Sequence, residues 1–151
     1  MTPGYYAEMD PAKRAMLLTA LYMAQEQYGH LTQEAVERVA QRLGMSSGEV
    51  YSTATFYSMF RTEPTGRYLI QVCEGLSCHL AGGAEDLIAH VQDRLGIGPG
   101  GVTEDGRFGL QIVQCLAACG SSPAMRINDT LYTNLTLGEV DTILDELEAR
   151  R

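Results

Sequence analysis

The sequence predicts an α/β (α+β) chain, with an N-terminal helical bundle over residues 1–65 followed by a strand-and-helix domain over residues 66–151. Three observations predict it. Residues 1–63 carry apolar residues at helical spacing, and from residue 66 strand-length apolar runs alternate with amphipathic stretches. Between the two textures Pro64-Thr65-Gly66 punctuates the chain. The 151 residues are 45% hydrophobic and 20% charged, a balance that supports packed cores rather than disorder.

The first helix is expected from Asp10-Pro11, where Asp caps the end and Pro loses no needed N–H. Leu17, Leu18, Leu21, Tyr22 and Tyr28 recur along it, and Gly29 stops it. A second helix starts at Thr32, presents Ala35, Val36, Val39, Ala40 and Leu43 inward, and ends at Gly44. A third opens on Ser46-Ser47-Gly48-Glu49, a capping box, and runs into Val50–Tyr57, whose β-branched and aromatic residues also suit a strand. In the second half, Tyr68–Val72 reads as a buried strand with Cys73 at its end. Ala84–Leu95 reads as a helix, and Phe108–Val113 as a strand that stops just before Cys115. Ala124–Asn128 and Thr130–Tyr132 flank Asn128-Asp129, a hairpin signal. Thr136-Leu137-Gly138-Glu139 is another capping box, opening a last helix with Val140, Ile143, Leu144 and Leu147 inward.

Eleven Lys+Arg against 19 Asp+Glu give a net charge of −8, which repels phosphate backbones and argues against a nucleic-acid binder. No apolar run approaches the roughly 18 residues of a membrane span. No secretory signal is visible at Met1–Tyr6, so a cytosolic, reducing setting is expected. There, the four cysteines Cys73, Cys78, Cys115 and Cys119 suggest metal binding or redox chemistry more than disulfides.

Both cysteine pairs start where a predicted strand ends, the position of functional loops in open α/β sheets. Cys73 and Cys78 are five residues apart and would diverge by roughly 140° on a helix, so Cys73–Cys78 is expected to be a loop that turns at Gly75. Cys115 and Cys119 are four apart, and one helical turn or a loop could bring them together. Two pairs on two loops suit a [2Fe–2S] core, in which each of two irons takes two thiolates. Structural zinc prefers tighter C-x₂-C knuckles but stays an alternative, as a zinc-stabilised interaction module. A dithiol oxidoreductase would need C-x-x-C, which the chain lacks. Leu76, Leu80 and Leu116 are expected to form an apolar shell around the sulfurs.

The pattern Cys73-x₄-Cys78 … Cys115-x₃-Cys119-Gly120, with Pro123 and Asn128 beyond, resembles the thioredoxin-like [2Fe–2S] subunits of bacterial NADH:quinone oxidoreductases (respiratory complex I). Ala54–Phe60 and Leu95-Gly96-Ile97-Gly98 extend the resemblance, which spans residues 16–147. It is shared with subunits of NAD-linked formate dehydrogenases and bidirectional hydrogenases. The resemblance implies a helical bundle followed by a thioredoxin-like ferredoxin domain. It implies one [2Fe–2S] cluster held by Cys73, Cys78, Cys115 and Cys119, and a flavin-bearing, NADH-oxidising partner subunit. Ser122 departs from the Ala that many members carry before the proline. Backbone N–H groups of Gly75, Leu76, Ala117 and Ala118 are the expected donors to sulfur.

Other motifs read more plainly. Gly96-x-Gly98-x-x-Gly101 matches a dinucleotide fingerprint but follows a predicted helix and contains Pro99, so it reads as a turn. His79 reads as a neighbour of the sulfurs or a surface residue, and His30 and His90 as helix-surface residues. The acidic runs Glu85-Asp86 and Asp145-Glu146 with Glu148 read as solvated helix faces. Met16, Met23 and Met59 read as core fillers. Tyr51, Phe56, Tyr57 and Phe60 fit either core or a partner surface. No nucleophile–base pairing suggests a hydrolase.

Overall fold

A computed structural model describes residues 10–150. They fall into two compact units, one ending at Pro64 and the other beginning at Thr65.

The first unit is helical: α1 (Pro11–Ala15), α2 (Leu17–Tyr28), α3 (Gln33–Leu43) and α4 (Ser47–Phe56). The expected single first helix is broken at Met16. Its N–H bonds back to Lys13 O at 3.1 Å, a tightened turn that interrupts the i−4 ladder. Thr32 caps α3 and Gly44 ends it in a left-handed conformation, as the sequence predicts. The Ser46/Glu49 capping box holds α4 helical despite its β-branched residues. Gln25 is buried, and its amide donates to Met59 O at 3.0 Å and accepts from the Arg61 N–H at 2.7 Å. This fastens the segment after α4 to α2 and leaves no amide group orphaned.

The buried stripe of α2 is Leu17, Leu21 and Ala24, spaced i, i+4, i+7. Leu18, Tyr22 and Tyr28, which recur along the same helix, lie off that stripe and are exposed. Met16, Met23 and Met59 are exposed too, so the core-filler expectation fails; a short bundle covers one stripe per helix. Among the four aromatics Phe60 is buried, while Tyr51, Tyr57 and above all Phe56, 80% exposed, face outward.

The second unit is built on a four-stranded sheet of order β2-β1-β3-β4. Its elements are β1 (Tyr68–Cys73), α5 (Leu76–Leu80), α6 (Ala84–Leu95), β2 (Phe108–Val113), a 3₁₀ turn (Cys119–Ser121), β3 (Ala124–Ile127), β4 (Thr130–Thr133) and α7 (Leu137–Ala149). β1 and β2 are parallel and joined by the crossover through α6; β3 runs antiparallel to β1, and β4 to β3. On one sheet face Ile70, Val72, Leu110 and Met125 join Leu87 and Val91 of α6 and Val140 and Leu144 of α7 in one buried cluster. Each such side chain removed from water contributes about 1.5–3 kcal/mol. Alternate residues point the other way, where Gln71 donates to Gln111 at 3.0 Å and the Arg126 Nε–H donates to Gln71 at 2.9 Å.

The Asn128-Asp129 hairpin forms. Asn128 adopts φ 51°, and its side-chain oxygen accepts the Leu69 N–H at 2.9 Å, tying the turn to β1. The glycine-rich segment after α6 is a turn: Gly96 ends the helix left-handed, and Gly100 N–H bonds Leu110 O at 2.7 Å. Asp145 and Glu148 are not merely solvated as expected. Arg94 of α6 meets Asp145 at 2.6 Å and Glu148 at 3.2 Å because the two helices lie side by side on the sheet. His90 likewise lies 2.8 Å from Asp141 and is only partly exposed. Among the described residues no helix is long and apolar enough to cross a membrane.

Candidate metal centre

In the parallel β1–β2 pair, Cys73 stands opposite Val113. Both strands therefore end on one side of the sheet, and the two cysteine-bearing loops leave it as neighbours. The Glu74 N–H bonds Val113 O at 2.9 Å, and the Gln114 amide donates to the Glu74 carboxylate, which fastens the loop roots together.

The first loop is shorter than expected. Cys73 is the last residue of β1, but Cys78 lies inside the helical turn α5. Gly75 stands at the N-cap of that turn with φ −58° and ψ 159°, and its carbonyl accepts the His79 N–H at 3.0 Å. The inference that Cys73 and Cys78 share no helix face survives, since one is in a strand and the other in a helix. Gly75 is required by close approach: a Cβ there would lie 2.5 Å from Gln114 O of the second loop.

The second loop runs from Cys115 through Leu116-Ala117-Ala118 into the 3₁₀ turn at Cys119. It is not a helical turn. Ala117 adopts φ 58°, and its N–H points to Cys115 Sγ at 3.2 Å. A left-handed alanine costs roughly 1–2 kcal/mol, so this posture is held by the surrounding contacts. Asn134 N–H anchors the loop's exit by bonding Ser121 O at 2.9 Å.

The two loops interlock at sulfur. The Leu116 N–H, next to Cys115, and the Gly75 N–H both reach the Cys73 thiol. The Ser122 hydroxyl, three residues beyond Cys119, lies 3.4 Å from Cys78 Sγ, and the Ala124 N–H approaches the same sulfur. Cys73 and Cys78 themselves interact. Burial pushes the Cys73 thiol above its ordinary range, against the pull of the Gly75 and Leu116 N–H groups. Burial also pushes Cys78 up, but the Ser122 hydroxyl, the Cys73 thiol and the Ala124 N–H together outweigh it, so this thiol ionises below its ordinary range.

Exposure separates the pairs. Cys73 and Cys78 are 4% and 2% exposed, while Cys115 and Cys119 lie at the surface, and all four are free thiols. Among the described residues, no three His, Cys, Asp or Glu side chains gather as closely as the shell of a single metal ion. The expected apolar shell is half present. Leu116 packs against Cys73, Cys78, Ala84 and Ala124, but Leu76 and Leu80 are each 74% exposed, because α5 turns those positions outward. His79 faces Glu85 at 3.5 Å.

Of the four expected N–H donors, Gly75 and Ala117 face sulfur. Leu116, Ala124 and the Ser122 hydroxyl were not foreseen in that role. Ser122 carried a signal, a hydroxyl three residues after a cysteine. Leu116 and Ala124 carried none, since any residue has a backbone N–H and only the loop path aims it.

Free cysteines on two adjoining loops, at the open end of a parallel strand pair in an α+β sheet, define a small protein built to present thiolates to an iron–sulfur group. Four thiols are the full donor set of a [2Fe–2S] core, and the polar hydrogens aimed at three of them suit anionic sulfur. A family model for the thioredoxin-like [2Fe–2S] ferredoxins matches residues 5–148, and the chain belongs to that family. It is 42% identical over 139 residues to an NADH-quinone oxidoreductase subunit of Rhizobium meliloti, covering 92% of this chain and 82% of the relative. It is 39% identical to NADH-quinone oxidoreductase subunit 2 of Thermus thermophilus, covering 95% of this chain and 80% of that one. The NADP-reducing hydrogenase subunit HndA of Solidesulfovibrio fructosivorans is 34% identical, over 93% of this chain and 82% of its own. A crystal structure of an NAD+-reducing [NiFe]-hydrogenase superposes with a TM-score of 0.80 at 28% identity. That match covers 89% of this chain and 23% of the hydrogenase chain. The family, the α+β fold and the [2Fe–2S] cofactor read from the sequence agree with these findings.

Proposed function

We propose that the chain is an electron-transfer subunit of an NADH:quinone oxidoreductase, holding one [2Fe–2S] cluster through Cys73, Cys78, Cys115 and Cys119. Its partner in this reading is a flavin-bearing subunit that oxidises NADH, and the assembly works on the cytoplasmic side of the membrane. Residues 66–151 form the electron-carrying domain and residues 1–65 a helical domain of their own.

The observation that carries the reading is the interlock of the loops. Residues beside the second cysteine pair meet both sulfurs of the first: Gln114 O lies 3.9 Å from Cys73 Sγ and the Ser122 hydroxyl 3.4 Å from Cys78 Sγ. Four thiolates can thus converge from two sides without rearranging the sheet. When bound, the cluster supplies a one-electron centre, so hydride chemistry on NADH falls to a flavin elsewhere. The chain's own residues do the rest. Burial of Cys73 and Cys78 excludes water from one side, and the N–H groups of Gly75, Leu116, Ala117 and Ala124 compensate negative charge on sulfur. The exposed Cys115 and Cys119 leave the other side open to an electron partner.

A second reading, the equivalent subunit of an NAD(P)-linked hydrogenase, draws on the hydrogenase relative and superposition. Anaerobic purification with the neighbouring subunits tests both. The expected result is a brown protein with equal iron and acid-labile sulfide, a rhombic EPR signal after dithionite, and a co-purifying flavoprotein. Cys115→Ser should abolish or strongly alter that signal. A colourless protein with stoichiometric zinc would overturn the reading in favour of the zinc-stabilised module. A nickel-bearing partner would favour the hydrogenase assembly.

A further inference from the structure

Ser122 belongs to the second cysteine loop, yet its hydroxyl lies 3.4 Å from Cys78 Sγ of the first. The same oxygen lies 3.3 Å from the carbonyl of Cys119, to which it donates. A serine hydroxyl has one proton and can serve only one of these acceptors. While Cys78 is a neutral thiol, its S–H donates to the Ser122 oxygen and the hydroxyl proton stays on the Cys119 carbonyl. A metal ligand is a thiolate, with no proton to give and a stronger pull as acceptor. Such a sulfur would compete with the Cys119 carbonyl for the hydroxyl proton.

Resting on the cluster reading above, we propose that the Ser122 hydroxyl donates to the ligated Cys78 sulfur and thereby raises the reduction potential of the centre. Reduction adds a negative charge that is shared with the ligating sulfurs, so a donor on sulfur stabilises the reduced state more than the oxidised one. Cys78 is buried, and water does not readily replace a lost donor there. The other partners placed on the sulfurs of Cys73, Cys78 and Cys115 include backbone N–H groups of Gly75, Leu116, Ala117 and Ala124, which follow from the loop path itself. Ser122 adds a side-chain donor that a substitution can remove without redirecting the backbone.

The test is an EPR-monitored redox titration of the purified chain and of Ser122→Ala and Ser122→Thr. Ser122→Ala should favour the oxidised state by about tenfold, a 59 mV fall in midpoint for one electron. Ser122→Thr, which keeps the hydroxyl, should restore the midpoint. An unchanged midpoint in Ser122→Ala, or a Thr variant displaced as far as the Ala variant, would overturn the proposal. So would a folded Ser122→Ala that fails to hold iron, because Ser122 would then be needed for assembly rather than for tuning. Absence of any cluster in the unsubstituted chain would instead sink the reading on which this rests.

Discussion

The two cysteine loops leave neighbouring strand ends and carry two thiols each, but the fold treats them differently. Cys73 and Cys78 are buried, mutually in contact and ringed by polar groups: the N–H groups of Gly75, Leu116 and Ala124 and the Ser122 hydroxyl. Cys115 and Cys119 are exposed, on a segment whose shape depends on one left-handed alanine. The difference separates two tasks. The first loop is prebuilt by the sheet, since Cys73 is itself a strand residue and Cys78 sits in the helical turn that follows. The second closes over it and carries the accessible side of the site. In the cluster reading proposed above, the enclosed half would exclude water and the open half would face an electron partner.

The sharpest way to break this contrast is thiol accessibility. In the reduced, iron-free chain an alkylating reagent should modify Cys115 and Cys119 about a hundredfold faster than Cys73 and Cys78, which must wait for local opening. Peptide mass spectrometry over time reads the four rates. Equal rates would show that the first loop is not prebuilt, and a fast Cys78 would show that its thiolate character outweighs its burial.

A smaller effect tests the contact between the loops. Gly75→Ala places a Cβ 2.5 Å from Gln114 O, a backbone atom that cannot swing aside. The loops must separate, at about 1–3 kcal/mol by the usual cost of overpacking. Thermal denaturation should register the loss, and chelators should strip iron faster; an unchanged midpoint and iron retention would mean the loops do not touch there.

The smallest effect sharpens the account of the second loop. Ala117→Gly relieves a left-handed alanine at φ 58° while leaving its N–H in place. Stability should rise by up to about 1 kcal/mol, the relief being partly offset by glycine's greater freedom when unfolded. A fall in stability would mean that the alanine methyl makes a contact worth more than the strain.

Much of the fold was legible in the sequence because its signals are local. The Ser46/Glu49 and Thr136/Glu139 capping boxes, the glycine stops at Gly29 and Gly44, and the Asn128-Asp129 turn act within a few residues of chain. The apolar runs at Tyr68 and Phe108 did become strands. What failed was the assignment of faces. Met16, Met23 and Met59 are apolar and suit a core, yet all three are exposed, because which stripe of a helix is covered depends on what packs against it. Leu76 and Leu80 failed for the same reason, through a helical turn that local spacing did not reveal.

By itself, then, the order of residues determined the elements, the four cysteines and the kind of group they suit, since spacing, capping and thiol chemistry are properties of short stretches. Only the tertiary structure decided that β1 and β2 run side by side, that one pair is enclosed and the other open, and that Leu116, Ser122 and Ala124 meet sulfurs some forty residues away in sequence. Those are facts of parallel pairing and loop path, and they arise from contacts between residues that no local pattern links.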